Sequence, residues 1–275
     1  MCNLPNFLLA LSLSIFCFLL PKNVEAQGPI SGFLPPKGEM AVALSYGKEQ
    51  FDTYFGPDGK ESLELETRFY NFFFEHGLSE QMSMVASLPW MQTDEDNQGL
   101  QDGNLWIKYR NQRTDFQRHS SSFFTAVGLS LPIGNYTTGE RASLGRRATV
   151  FQGRFVWQLD HQSGWFAHIQ SGIDFQLVPE ATAVWPIVVR AGYGAPYFYV
   201  EGWLSSVKSL NETLDNTLTT GAGSSWTRVG GTFYVPLRKW VGVHAGLAYI
   251  LSGTNIGQSR RWNVGVVVKR IPGNN

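Results

Sequence analysis

The residues of this 275-residue chain that could do chemistry are ionisable side chains lying on segment faces opposite to apolar ones: Glu64, Glu66, Arg68, Lys108, Arg110, Arg154, His168, Asp174, Arg190, Glu201, Arg228, His244 and Lys269. What such groups do depends on how tightly they are enclosed. Facing one another across a narrow space, charges of both signs pair, satisfy each other and close the space. Strung along a wider space with Trp106, Tyr197 and Tyr199, they line a path for a solute. Both readings stay open at this stage. Catalytic signals are thinner: the nearest local hint of a paired His and Ser is His161-Gln162-Ser163, in a four-residue turn ending at Gly164. His76, His119, His168 and His244 show no ligand spacing, and neither a phosphate-cradling glycine loop nor a G-x-S-x-G elbow occurs. No catalytic residue, metal or cofactor is expected.

The beginning of the chain bears on compartment. Residues 7–20 are an apolar run too short to cross a bilayer as a helix, followed by Pro21 and the small-residue pattern Val24-Glu25-Ala26, so residues 1–26 read as a signal peptide and 27–275 as one domain. Both cysteines, Cys2 and Cys17, fall inside that signal, leaving the exported chain without a thiol for a disulfide, a metal or a nucleophile. With Lys22 and Glu25 removed, 21 basic residues face 21 acidic ones, a balance that argues against nucleic acid as a partner. Aromatic residues make up 14% and glycines number 29, with no helical period of useful length, which points to an all-β chain.

The elements that must position the charged groups show best in residues 226–251. Val229, Gly231, Phe233, Val235 and Leu237 share one face, and after a short turn Val241, Val243, Ala245, Leu247, Tyr249 and Leu251 share the matching face of a return strand. The opposite faces hold Arg228, Gly230, Thr232, Tyr234, Gly242, His244 and Gly246. Arms of about eleven residues, tilted about 45°, cover roughly 25 Å, the height of the lipid band of an outer-membrane barrel. The same rhythm gives strands at 39–47, 62–74, 82–90, 104–110, 123–131, 151–159, 165–177, 185–193, 198–204 and 262–268, so about twelve in all. Connections after odd-numbered strands are mostly long and those after even-numbered strands mostly short. Barrels in the outer membrane sort their loops by end in this way, and a soluble sandwich has no reason to. The fold class expected is all-β, a transmembrane antiparallel up-and-down β-barrel of about 12 strands.

Short motifs at the strand ends carry a resemblance. Gly77-Leu78-Ser79, Ser87-Leu88-Pro89-Trp90, the run Gly99-Leu100-Gln101-Asp102-Gly103-Asn104-Leu105-Trp106-Ile107-Lys108-Tyr109-Arg110, and Gly128-Leu129-Ser130-Leu131-Pro132-Ile133-Gly134-Asn135-Tyr136 resemble the outer-membrane barrel family named for the meta-pathway of phenol degradation. That resemblance implies a transporter-like channel for small organic molecules. The chain departs from the habit of such barrels in ending on Ile271-Pro272-Gly273-Asn274-Asn275 rather than on an aromatic residue. The expectation is therefore an outer-membrane β-barrel, monomeric and in contact with outer-membrane lipid, that passes small hydrophobic or aromatic solutes. Two alternatives from other classes are a structural or adhesive barrel with a plugged lumen and an outer-membrane lipid-modifying enzyme.

Overall fold

The computed structural model describes residues 30–56, 59–93, 97–136, 147–210 and 224–270. The signal segment, Cys2, Cys17, the last five residues and much of the loops at 134–147 and 205–225 lie outside them.

Among the described residues fourteen strands follow one another: β1 (Met40–Gly56), β2 (Gly59–Ser79), β3 (Met82–Gln92), β4 (Gln98–Leu100), β5 (Asp102–Asp115), β6 (His119–Pro132), β7 (Thr149–His161), β8 (Trp165–Val178), β9 (Thr182–Ala195), β10 (Phe198–Ser209), β11 (Ser225–Arg238), β12 (Val241–Thr254), β13 (Ile256–Gly257) and β14 (Arg260–Arg270). Twelve of them form one closed antiparallel barrel, because β1 pairs with β2 on one side and with β14 on the other, from Met40 opposite Arg270 to Gln50 opposite Arg260. The short β4 and β13 add to β3 and β1 at the loop end. Closure pairs the strand-edge amides and carbonyls that lipid could not satisfy.

Alternation decides which way each side chain points. Val42 and Leu44, Phe123, Val127 and Leu129, Ile169, Val189, Val243, Leu247, Val264 and Val266 are exposed on the outer wall, Leu247 to 70%. In water such a surface would drive aggregation; in a bilayer it is what holds the protein there. Aromatics border the band. Tyr46 packs edge-on to Trp262 at 5.7 Å and against Tyr70 at 5.1 Å, while at the short-turn end Trp165 lies 5.1 Å from Tyr193. The outward indoles of Trp157 and Trp185 donate to Ser121 and Ser171 on neighbouring strands, both at 2.8 Å, so their polar edge is satisfied within the wall. An apolar outer band of this kind on a closed twelve-stranded barrel is that of an outer-membrane protein.

The start of β1 at Met40, the end of β14 at Arg270 and the tight turns at 80–81, 116–118, 162–164, 196–197 and 239–240 lie at one end of the barrel. Gly164 closes the third of these with φ +97°, a conformation costly for any side chain. Three expectations need correction on length. β1 runs on to Gly56, so Asp52 is in a strand; β2 runs to Ser79, leaving only 80–81 of the connection expected from 75 to 81; and β10 continues to Ser209, five residues into the expected loop. The first two form a tall hairpin rising past the ends of the neighbouring strands, where strands surrounded by water no longer need an apolar outer face.

The periodicity also gave no place to residues 30–35, which enter the barrel instead of lying outside it. Ile30 packs with Val85, Trp106, Phe124, Ala126 and Val156, and Phe33 meets Phe166 edge-on at 5.3 Å. Gly32 passes so close to Gln158 that a Cβ there would collide with that side chain. Tyr199, Tyr234, Phe166 and Val267 complete the packing on the other side.

Candidate functional site

The lumen is where the ionisable residues gather, in separate groups. Lowest, beside the N-terminal segment, Lys108 is wholly buried and its Nζ donates to Glu75 Oε1 at 3.0 Å, to Ser31 Oγ at 3.3 Å and to the Phe33 carbonyl. Ser83 Oγ donates to the same Glu75 oxygen at 3.0 Å. The three donors of an ammonium this far from water each need an acceptor, and these partners supply them. Lys108 therefore fastens 30–35 to the wall.

Arg154 on β7 grips Asp174 on β8 through two bonds of 2.5 and 2.9 Å and lies 5.3 Å from the Trp106 ring. Arg190 on β9 stands 3.8 Å from Glu201 on β10, whose other oxygen accepts the Tyr199 hydroxyl at 2.9 Å. His168, directly across from Arg190 in the ladder, sits between Gln158 and Gln170 at 3.4 and 3.3 Å. The four groups Arg154, Asp174, Arg190 and Glu201, which stand on four consecutive strands, make two pairs with no ion pair joining them among the described residues. The bidentate geometry of the first pair explains this: both Asp174 oxygens are already occupied by Arg154.

A third group lies higher. Glu49 on β1 is approached by Arg228 at 3.2 Å and Arg261 at 3.7 Å and accepts the Ser259 hydroxyl at 2.5 Å. The guanidinium carbon of Arg261 lies 3.9 Å from the Phe69 ring centre and that of Arg228 5.1 Å from the Trp226 ring centre. His244 Nε2 meets Ser45 Oγ at 3.1 Å, and Lys269 lies 3.9 Å from Glu39 at the short-turn rim. Between the N-terminal segment and these arginines is a cavity of about 570 Å³, walled by Phe69, Phe73, Trp203 and Trp226 and by Ser45, Arg190, Arg228 and Arg261.

Not every candidate faces this space. Glu64, Glu66 and Arg68 point outward, the parity that Tyr70 and Phe72 continue; Glu66 pairs with Lys48 at 2.7 Å, with Arg68 3.7 Å away. Above the lipid, the rule that apolar side chains face out inverts, and Leu63 and Leu65 take the sheltered face instead. Tyr197 sits in the 196–197 turn, 57% exposed, outside the barrel. Arg110 reaches the rim and donates to the Glu80 carbonyl at 2.6 Å. Three residues that matter were passed over: Glu49, Glu75 and Arg261. Extending the alternation of Ala41, Ala43 and Ser45 by two more steps finds Glu49, and the parity opposite Trp262 and Val264 finds Arg261.

Two hydrogen-bonded groups lie away from the lumen. At the loop end Tyr136 donates to Asp102 and accepts from the Arg147 amide at 2.8 Å; burial, then the Asp102 hydrogen bond, push its phenol well above the usual range. His161 Nδ1 lies 2.7 Å from Ser163 Oγ and accepts the Ser163 amide at 3.2 Å, the local bonding of an exposed turn.

No family model and no curated protein matches this chain. Among solved structures it is similar to the COG4313 outer membrane channel from Pseudomonas putida F1, at 13% identity over 90% of this chain and 100% of that one, with a TM-score of 0.69. The KdgM porin (8% identity, 82% and 98% covered, TM-score 0.53) and the NanC porin (9%, 82% and 98%, 0.54) follow. At these identities the likeness is one of fold, and the fold is the one that outer-membrane channels and porins use.

Proposed function

We propose that this protein is a monomeric outer-membrane channel for small hydrophobic or aromatic solutes. The observation that carries the reading is the cavity of about 570 Å³ above the N-terminal segment, with four aromatic rings on its wall. Its volume suits a small organic molecule, and its mixture of rings and a few polar groups is what such sites use. Support comes from the fold shared with proteins named as an outer membrane channel and as porins, and from the strand-end motifs resembling the meta-pathway family.

One observation favours a second reading, a structural barrel: residues 30–35 and the buried Glu75–Lys108 pair fill the lumen at the short-turn end. Single-channel recording of the refolded protein separates the two. A channel gives discrete current steps that grow when residues 30–35 are deleted; a structural barrel gives none in either form. Lipid hydrolysis by the same sample tests the enzyme alternative, for which a Ser163→Ala variant is the control.

A further inference from the structure

The cavity wall is unevenly charged. Lys108 neutralises Glu75 and Glu201 stands beside Arg190, but Arg228 and Arg261 share the single carboxylate of Glu49. The described groups around the cavity thus carry one positive charge in excess. Arg190 is also under-used: it is buried, it lines the cavity, and its Nε has no hydrogen-bond partner among the described residues. A buried guanidinium N–H left without an acceptor is costly, and an acceptor brought in by a ligand removes that cost.

The arrangement of the arginines narrows the ligand. Arg261 against Phe69 and Arg228 near Trp226 are held on ring faces, which leaves the edges of their guanidinium forks, where the donors are, for an anion. A planar carboxylate fits such a fork with two parallel bonds. Lower on the wall, Phe73 and Trp203 offer apolar surface to whatever the carboxylate is attached to; Trp203 lies over Gly230, where any Cβ would collide with the indole. We infer that this cavity takes small aromatic or aliphatic monocarboxylates, the carboxylate at Arg228 and Arg261 and the apolar body toward Phe73 and Trp203. The inference rests on the channel reading and names its solute class. Competition from Glu49 keeps the hold on the anion weak, as a conducting site requires, since a solute must leave as readily as it arrives.

The test uses full-length protein in vesicles at neutral pH, with benzoate and its uncharged isostere benzamide as probes and protein-free vesicles subtracted. An excess charge in a partly screened interior predicts about fivefold faster uptake of benzoate. Arg228→Gln and Arg261→Gln should each bring the two rates together, while Arg260→Gln, whose side chain pairs with Asp52 outside the lumen, leaves the ratio unchanged. Reversal potentials in a KCl gradient supply a readout in the wild type alone and should show anion preference. Equal or faster uptake of benzamide, or cation preference, overturns the carboxylate inference and leaves the channel reading in place. Uptake of neither probe, with no current, overturns the channel reading and the inference with it.

Discussion

The two ends of the lumen solve the same problem in opposite ways. Toward the short turns, the barrel is filled by its own N-terminal segment, and the charges there, Glu75 and Lys108, are fully enclosed and matched one to one. Toward the loops, three arginines and two glutamates surround a cavity with aromatic walls; Arg190 and Glu201 are buried, Glu49, Arg228 and Arg261 are partly exposed, and the charges are unequally matched. Full enclosure demands that every charge be neutralised, because a lone ion without water costs several kcal/mol. A solvated space tolerates excess charge, and a ligand can exploit it. The contrast is the difference between packing and a binding surface.

The comparison breaks most decisively at Lys108. Lys108→Met strands Glu75 in the packed end and should cost about 3–5 kcal/mol in denaturant unfolding, with Lys108→Met/Glu75→Gln recovering part of it. Arg228→Met in the wetter end should cost much less, and equal losses at the two sites would erase the distinction drawn here.

Next in size is placement in lipid. Val243→Arg or Leu247→Arg should lower refolding into vesicles by about 2–4 kcal/mol. Gly246→Arg acts differently, through the lumen, since even a Cβ there would stand 2.6 Å from Asn263 Oδ1. Full tolerance of arginine at 243 and 247 rules out a membrane-facing wall.

The Arg154–Asp174 pair sharpens the picture of independent groups. A double-mutant cycle with Arg154→Met and Asp174→Asn should return a coupling of about 1.5–3 kcal/mol, whereas Arg154→Met with Glu201→Gln should return under about 0.5 kcal/mol. Comparable couplings would make the four groups one network instead of two pairs.

Gly32→Leu tests the filling itself. The larger side chain cannot pass Gln158, so the N-terminal segment should be displaced at a cost of about 1–3 kcal/mol, with an increase in single-channel current. An unchanged current means that these residues do not obstruct the path.

The smallest effect concerns the loop end. The Tyr136 phenol is raised in the folded protein, so its contribution is complete below its ordinary value near 10 and is lost as pH rises from there toward the folded value. Tyr136→Phe should remove that alkaline dependence and little else, as read by unfolding temperature between pH 8 and 11.

Much of this protein was legible in its sequence. A period of two with an apolar face is local information, so twelve strands, their outward residues and the placement of Arg154, Asp174, Arg190 and Glu201 on adjacent strands follow from alternation alone. The sorting of loops by length adds the two ends. Alternation failed where both faces are aromatic: in Phe69-Tyr70-Asn71-Phe72-Phe73-Phe74, Phe69 and Phe73 turn inward while Tyr70, Phe72 and Phe74 turn out, and only the polar Asn71 and Glu75 on the inward parity mark the choice. It failed again above the lipid, where Glu64, Glu66 and Arg68 took the water-facing side. Which charges meet was decided by the closed barrel, because Glu49 and Arg228 are joined across 179 residues of chain and only register and curvature bring them together. The position of residues 30–35 was likewise a tertiary matter: a short irregular segment has no period to read, and the lumen it fills exists only once the twelve strands have closed.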